Sequence, residues 1–426
     1  MRMNSRTYDV VVVGSGPGGL AAAISAKKNG AKKVLVIERD IELGGILLQC
    51  IHNGFGVEVF KEDLPGPSYA QRFIREFNDL KVEALLDSMV LEATADRRLF
   101  VTSRSGGIEE IQARSLVFAM GCRERTRAQI RLPGTRPAGV YSAGTAQRWV
   151  NVEGCMPGKR FVILGSGDIG MIMARRLTFE GAKVERVLEI MPYLSGLTRN
   201  YVQCLQDFDI PLQLRHTVKR IIGGKRLEAV EAVAVDEKWQ PIPGSEEIIP
   251  CDTLLLSVGL IPENELSRQA GVNLDPITGG PFVDNNFHTN VPGIFAAGNV
   301  VHVYDLVDWV TQAGLAAGKS AALFAQGKLP ENSKAVRTVA GENVRYIVPH
   351  RIYPDMLEAE KIPLQMRVHQ PVEERVWVEA VCGEKRIARR ALPYARPGEM
   401  VTLNLKPDSV EDIRNIDSLT VNIIRR

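Results

Sequence analysis

YDVVVVGSGPGGLAAAISAKKNGAKKVLVIERD, residues 8–40, decides the fold of this 426-residue chain. The β-branched run at its start reads as a strand buried on both faces, a small-residue helix follows the glycines, and VLVIE reads as a second strand. The three together predict a βαβ unit. Gly14, Gly16 and Gly19 fill the pattern G-x-G-x-x-G. The first allows a tight turn, the second lets a pyrophosphate approach the backbone, and the third lets helix and strand pack closely. Glu38 closes the second strand 24 positions after Gly14. A carboxylate there can accept hydrogen bonds from ribose hydroxyls, while the pyrophosphate rests on the helix N-terminus.

The unit recurs in KRFVILGSGDIGMIMARRLTFEGAKVERVLEI, residues 159–190, with Gly165, Gly167 and Gly170 in the same spacing. Glu189 again lies 24 positions after the first glycine. Two such units in tandem imply two dinucleotide sites.

Composition narrows the rest. The length predicts several cores, and 45% hydrophobic with 24% charged residues is ordinary for a globular protein. The 53 basic and 50 acidic residues leave a formal charge of +3 without a long basic block, so nucleic acid is not an expected partner. The chain enters its first strand at Tyr8 without a signal-like apolar stretch, and no run approaches the ~18 apolar residues of a membrane span, so a cytoplasmic location is expected. Six cysteines stand singly, in neither CxxC nor metal-ligand spacing, and no metal is expected.

Taken together, residues 8–330 resemble the flavoprotein superfamily with two dinucleotide-binding domains, which includes the pyridine nucleotide–disulfide oxidoreductases. LVFAMGCRER (116–125) is similar to that family's exit from the FAD domain. LLLSVGLIPEN (254–264) is similar to the return, and TNVPGIFAAGNV (289–300) to the strand that meets the flavin's ribityl chain. The resemblance implies an α/β fold of two Rossmann-like three-layer domains: an FAD domain in two parts, residues 1–124 and 259–330, with an NAD(P) domain, residues 125–258, inserted between them. It further implies FAD contacts at Gly14, Ser15, Gly16, Pro17, Gly18 and Gly19, at Glu38 and Arg39, at Gly45, at Ala119 and Gly121, and at Gly298 and Asn299. VYDLVDWVTQAGLAAGKSAALFA (303–325) reads as a helix, whose N-terminal N–H groups near Val310 and Thr311 can stabilise negative charge on a reduced flavin. NAD would meet Gly165, Ser166, Gly167, Asp168, Ile169, Gly170, Glu189 and Gly259. Glu189 predicts NAD(H) over NADP(H), since the 2′-phosphate would face like charge. Arg186 and Arg199 are the residues that would offset it. The family usually has Asp where this chain has Asn299; an amide still accepts a hydroxyl, but the charge is lost.

In GGILLQCIHNGFG (44–56), Cys50 and His52 lie where such flavoproteins keep a redox disulfide. The residues three and five beyond Cys50 are Asn53 and Phe55, and YSAGTA (141–146), the other family location, holds no cysteine either. Disulfide reduction is therefore disfavoured. Cys50 is left as a candidate single-cysteine redox centre or a small pocket residue, and His52 as a candidate proton donor or a local backbone partner. Arg123, Arg125 and Arg127 read as phosphate contacts or as a solvated basic face.

From about residue 331 to 426, short alternating runs separated by PGE, CGE and KPD turns predict a small antiparallel β domain. The chain further resembles flavoprotein subunits paired with amine, opine or glycerol-3-phosphate dehydrogenases, and stretches 44–56, 62–73 and 303–314 resemble the anaerobic, glycerol-3-phosphate-associated type in particular. The leading expectation is an FAD enzyme moving a hydride between NAD(H) and flavin and trading electrons with a partner dehydrogenase subunit or small acceptor, with a homo-oligomer also open. The alternatives are a thiol or peroxide oxidoreductase using Cys50, and a nucleotide-binding scaffold without turnover.

Overall fold

The computed structural model describes residues 5–104, 106–330, 334–355 and 361–426. The chain divides into two compact units, residues 1–122 with 262–426, and residues 123–261.

The first unit is built on a seven-stranded sheet. Strand Ser5–Val13 lies between Val34–Ile37 and Gly107–Phe118 and runs parallel to both. Val10, Val11 and Val12 are wholly buried, the burial that a two-faced parallel strand requires. Strand Gly107–Phe118 changes partner along its length. Its early residues pair antiparallel with Arg98–Ser103, and its last residues pair parallel with Ile294–Ala296. Helices Pro17–Lys28 and Val307–Ala325 pack together closely. A Cβ at Gly318 would lie 2.0 Å from the Ala22 carbonyl oxygen, so only glycine permits that approach.

The second unit carries a five-stranded parallel sheet in the order Leu212–Leu214, Lys183–Glu189, Arg160–Leu164, Thr253–Leu256, Val140–Ser142. Helices Ala143–Asn151 and Asp168–Phe179 help cover it, and Phe161, Ile163, Met171 and Met173 form its buried core. A three-stranded antiparallel sheet, residues 216–250, completes the unit. The two Rossmann-like sheets expected from the repeated motif are both present.

The C-terminal β module belongs to the first unit and has its own core around Leu364, Met366, Val378, Leu403 and Val421. It contains a five-stranded and a three-stranded sheet. The antiparallel expectation is corrected at one pair: Val336–Ala340 and Ser418–Arg425 run parallel, because the first and last strands of the module lie side by side. Among the described residues no helix is long and apolar enough to cross a membrane.

Candidate functional site: two serine–glutamate seats

Gly14 ends the first strand at φ +99°, and a Cβ on it would lie 2.5 Å from the Ala119 carbonyl oxygen. At Gly19 a Cβ would stand 1.9 Å from the oxygen of Gly14. These two glycines serve packing. Gly16 differs, because its φ of −63° suits any residue and a Cβ there would meet nothing within 4 Å. It caps helix Pro17–Lys28 with no side-chain hydrogen bond, and Pro17 brings no surplus N–H to the first turn. Gly45 comes up beside it, where a Cβ would lie 2.9 Å from Gly16 Cα. Gly18 and Gly298 both approach Val310, with Cβ positions 3.3 and 3.0 Å from its Cγ1. An open cradle that a Cβ at Gly16 would begin to fill, backed by a helix N-terminus, fits a dinucleotide pyrophosphate.

Glu38 is buried at the rim of this cradle. Its Oε2 accepts from the N–H and Oγ of Ser15 at 2.8 and 2.7 Å, and its Oε1 accepts from Asp40 N–H at 2.8 Å. Each oxygen keeps acceptor capacity for a ribose hydroxyl. Arg39 beside it is exposed. Gly121, at φ +73°, uses its carbonyl to accept from Glu263 N–H at 3.0 Å. Thr311 shares a buried 2.8 Å hydrogen bond with Tyr69, whose phenol is raised by desolvation. Asn299 accepts from Tyr304 N–H at 3.1 Å and donates to Cys122 Sγ at 3.6 Å.

The loop bearing the candidate redox residues is held from both ends. Cys50 follows the 3-10 helix Gly45–Gln49, and its carbonyl accepts from Gly66 N–H at 2.8 Å. Burial pushes its thiol up to about 12. That disfavours the thiolate, the form a redox or nucleophilic cysteine uses. The six cysteines form no disulfide. His52 is half-buried, with Nδ1 2.8 Å from Asn53 O and its ring 5.0 Å from that of Phe55. Sequence reasoning missed Asp308, a buried acid in the first turn of helix Val307–Ala325. Its two oxygens accept from Gly56 N–H at 3.2 Å and Val59 N–H at 2.8 Å, tying the loop to the helix.

The second unit repeats the first seat at one constant spacing, with Gly14, Ser15, Gly16, Gly19, Glu38 and Gly45 matched 151 positions later by Gly165, Ser166, Gly167, Gly170, Glu189 and Gly196. Glu189 Oε2 accepts from Ser166 N–H at 2.9 Å and Ser166 Oγ at 2.6 Å, and its Oε1 accepts from Met191 N–H at 2.9 Å. The seats differ at several positions, among them Gly18 against Ile169 and Gly44 against Ser195. Asp168 takes the place of Pro17, and its Oδ1 accepts from Leu197 N–H at 2.8 Å and Asn200 Nδ2 at 2.7 Å. Ser257 Oγ accepts from Gly170 N–H at 3.1 Å and would lie 2.8 Å from a Cβ at Gly167. Ser257 was legible only as a polar residue in LLLSVGLIPEN. Ile169 is half-buried against the core, and Gly259 accepts from Arg125 N–H at 3.0 Å. Arg127 is spent on the carbonyls of Leu132 and Gly134, and Arg186 on Glu247 and Gln213. In the 141–146 segment, Gly144 N–H donates to both oxygens of Glu124 at 2.9 Å, and burial raises that carboxyl.

Residues 8–320 match the model of the family described as pyridine nucleotide-disulphide oxidoreductase. The chain is 25% identical to an opine oxidase subunit of Agrobacterium tumefaciens (strain Ach5), over 76% of this chain and 66% of that one. It is 26% identical to hydrogen cyanide synthase subunit HcnB of Pseudomonas protegens, over 62% and 58%. It thus covers less than two thirds of the length of either relative. A crystal structure of T. acidophilum thioredoxin reductase shares the fold, with a TM-score of 0.61, 23% identity, and coverage of 76% of this chain and 99% of that one.

Proposed function

Because the chain belongs to the pyridine nucleotide-disulphide oxidoreductase family and is an FAD- and NAD(P)-dependent oxidoreductase, we propose that it moves a hydride between NADH and FAD and exchanges the electrons with a partner protein subunit. The observation that carries this reading is the pair of serine–glutamate seats, one in each unit. The sequence holds no CxxC, and the six cysteines form no disulfide, so in this reading the electrons go to a partner rather than to an internal disulfide.

Bound FAD supplies the step between two-electron hydride chemistry and single-electron transfer. The protein's part is to hold and orient. Residues 14–19 receive the pyrophosphate, Glu38 the adenosine ribose, and the first turn of helix Val307–Ala325 places its positive dipole end beside the flavin. Glu189 selects the 2′-hydroxyl of NAD at the other seat. Support for a partner comes from the opine oxidase and HcnB relatives, both named as subunits.

The single-cysteine alternative is weakened by burial of the Cys50 thiol. Anaerobic mixing with NADH tests the proposal: the visible flavin absorbance should bleach, and should do so equally in a Cys50→Ser protein. No bleaching by either nicotinamide would leave a scaffold role. Purification from the native host, with identification of the proteins that accompany the chain, tests the partner.

A further inference from the structure

We propose that Arg367, in the C-terminal β module beyond the family match, is a positioning residue for the flavin seat. It grips one peptide group, and that same group orients the amide of Asn299. The inference rests on the reading that Asn299 faces the flavin.

Arg367 sits on strand Ile362–Val368 with its side chain only 15% exposed. Its Nη2 donates to the Val303 carbonyl at 3.2 Å, and its Nη1 donates to the Pro397 carbonyl at 3.2 Å. The guanidinium also makes an ion pair with Asp305, whose other oxygen accepts from Met400 N–H at 2.5 Å. The fork of donors thus fixes residues 303–305 from the module side.

Val303 C=O and Tyr304 N–H are the two ends of one planar peptide unit. Arg367 holds the oxygen, and the N–H donates to Asn299 Oδ1 at 3.1 Å. A charged donor on the carbonyl polarises the peptide and strengthens its N–H as a donor. With Oδ1 turned toward Tyr304, Nδ2 is directed to Cys122 Sγ. The amide therefore has one orientation, set by a residue 68 positions away in sequence. An aspartate at 299 would instead put a carboxylate oxygen against the sulfur, which is a weak donor. The amide at 299 and the arginine at 367 act as one device.

The test uses full-length protein carrying Arg367→Gln, Arg367→Lys, Asn299→Ala and the double change Arg367→Gln with Asn299→Ala, with Gly16→Val as control. FAD Kd, the visible flavin spectrum and the thermal melt are read for each. Arg367→Gln should weaken FAD binding by about tenfold, the equivalent of one lost hydrogen bond, and shift the flavin spectrum. Arg367→Lys should recover part of both. The double variant should bind FAD no more weakly than Asn299→Ala alone. A folded Arg367→Gln protein with unchanged Kd and spectrum, or losses that multiply in the double variant, would overturn the proposal. If Arg367→Gln does not fold, Asp305→Asn keeps the shape and the acceptor for Met400 N–H and is judged by the same coupling to Asn299→Ala. Retention of FAD by both Gly16→Val and Asn299→Ala would instead sink the seat assignment. Loss in those two without loss in Arg367→Gln would sink only the positioning role.

Discussion

Ser195 Oγ donates to Glu189 Oε2 at 2.7 Å, and its backbone N–H donates to Ser166 Oγ at 2.9 Å; the counterpart of Ser195 in the first seat is Gly44, which gives its backbone N–H to Ser15 and has no hydroxyl to add. Glu189 therefore carries three donors on one oxygen and one on the other, and Oε1 is the side with room for a ribose hydroxyl. A 2′-phosphate would meet a fixed carboxylate there. If Glu189 reads the ribose as proposed, repulsion of a few kcal/mol should give NADH a preference of roughly a hundredfold over NADPH. Arg186 is engaged elsewhere, which leaves Arg199 as the residue to watch. Rates of flavin reduction by the two nicotinamides should show that ratio, and Glu189→Gln should cut it to within about tenfold. Equal rates in the unaltered protein would mean that Glu189 does not read the ribose.

Gly16 and Gly19 should fail in different ways. Gly16→Val puts its Cβ where nothing beyond its chain neighbours lies within 4 Å, at a φ that valine accepts, so the protein should fold and lose its flavin. Gly19→Ala drives a Cβ to 1.9 Å from the Gly14 oxygen and should cost stability by about 1–3 kcal/mol. Flavin absorbance after gel filtration and chemical denaturation of each apoprotein separate the two effects. A Gly16→Val protein with full flavin content would refute the first seat.

Cys50 should react slowly. With its thiol held near 12, little thiolate exists at pH 8, and alkylation there should lag behind that of exposed Cys155. Mass spectrometry of a timed alkylation would show the order, and Cys50 labelling first would restore the thiol mechanism.

Acid should destabilise the first unit through two buried imidazoles. Burial holds His302, packed 4.2 Å from the Tyr304 ring, down at about 3, and holds His288 at about 4. The unfolded chain protonates both below about pH 6.5, while the folded chain does not until pH 3–4, so stability falls across that window. Asp284 opposes this. Burial raises it to about 6, so its contribution is fullest below about pH 3.9 and is lost as pH rises through 6. Each histidine adds at most about 1.4 kcal/mol per pH unit to the acid slope. His302→Phe should remove one such share from urea-midpoint measurements between pH 6.5 and 4. An unchanged slope would show that His302 is protonated in the folded state.

Much of the fold was legible because it is written in local pattern. The glycine spacing, the buried β-branched runs and the terminal glutamates all lie within one βαβ unit, and the 151-residue repeat doubled the signal. What stayed hidden was contact made by folding. Asp308 reads as an ordinary first-turn acid, and its bonds to Gly56 and Val59 depend on a loop some 250 residues earlier. Ser257 becomes a helix-terminal acceptor only when two strands and a turn converge. Arg367 looked like one more charge in an alternating strand, and only tertiary packing sets it against Asp305 and Val303. Periodicity reports which face is buried, not which distant partner a polar tip will find.

The partner switch along strand Gly107–Phe118 also orders events on the ribosome. Leu116, Val117 and Phe118 acquire one neighbour from the amino-terminal residues of the chain and the other only when Ile294–Ala296 has been synthesised. Residues 123–261, by contrast, are contiguous and have emerged before that strand exists. Since contiguous domains fold as they appear, the second unit is expected to be native while the first unit's sheet still has an open edge. A chain in which residues 123–261 have emerged and folded before Ile294–Ala296 has joined the sheet would therefore hold a completed second unit tethered to an unfinished first.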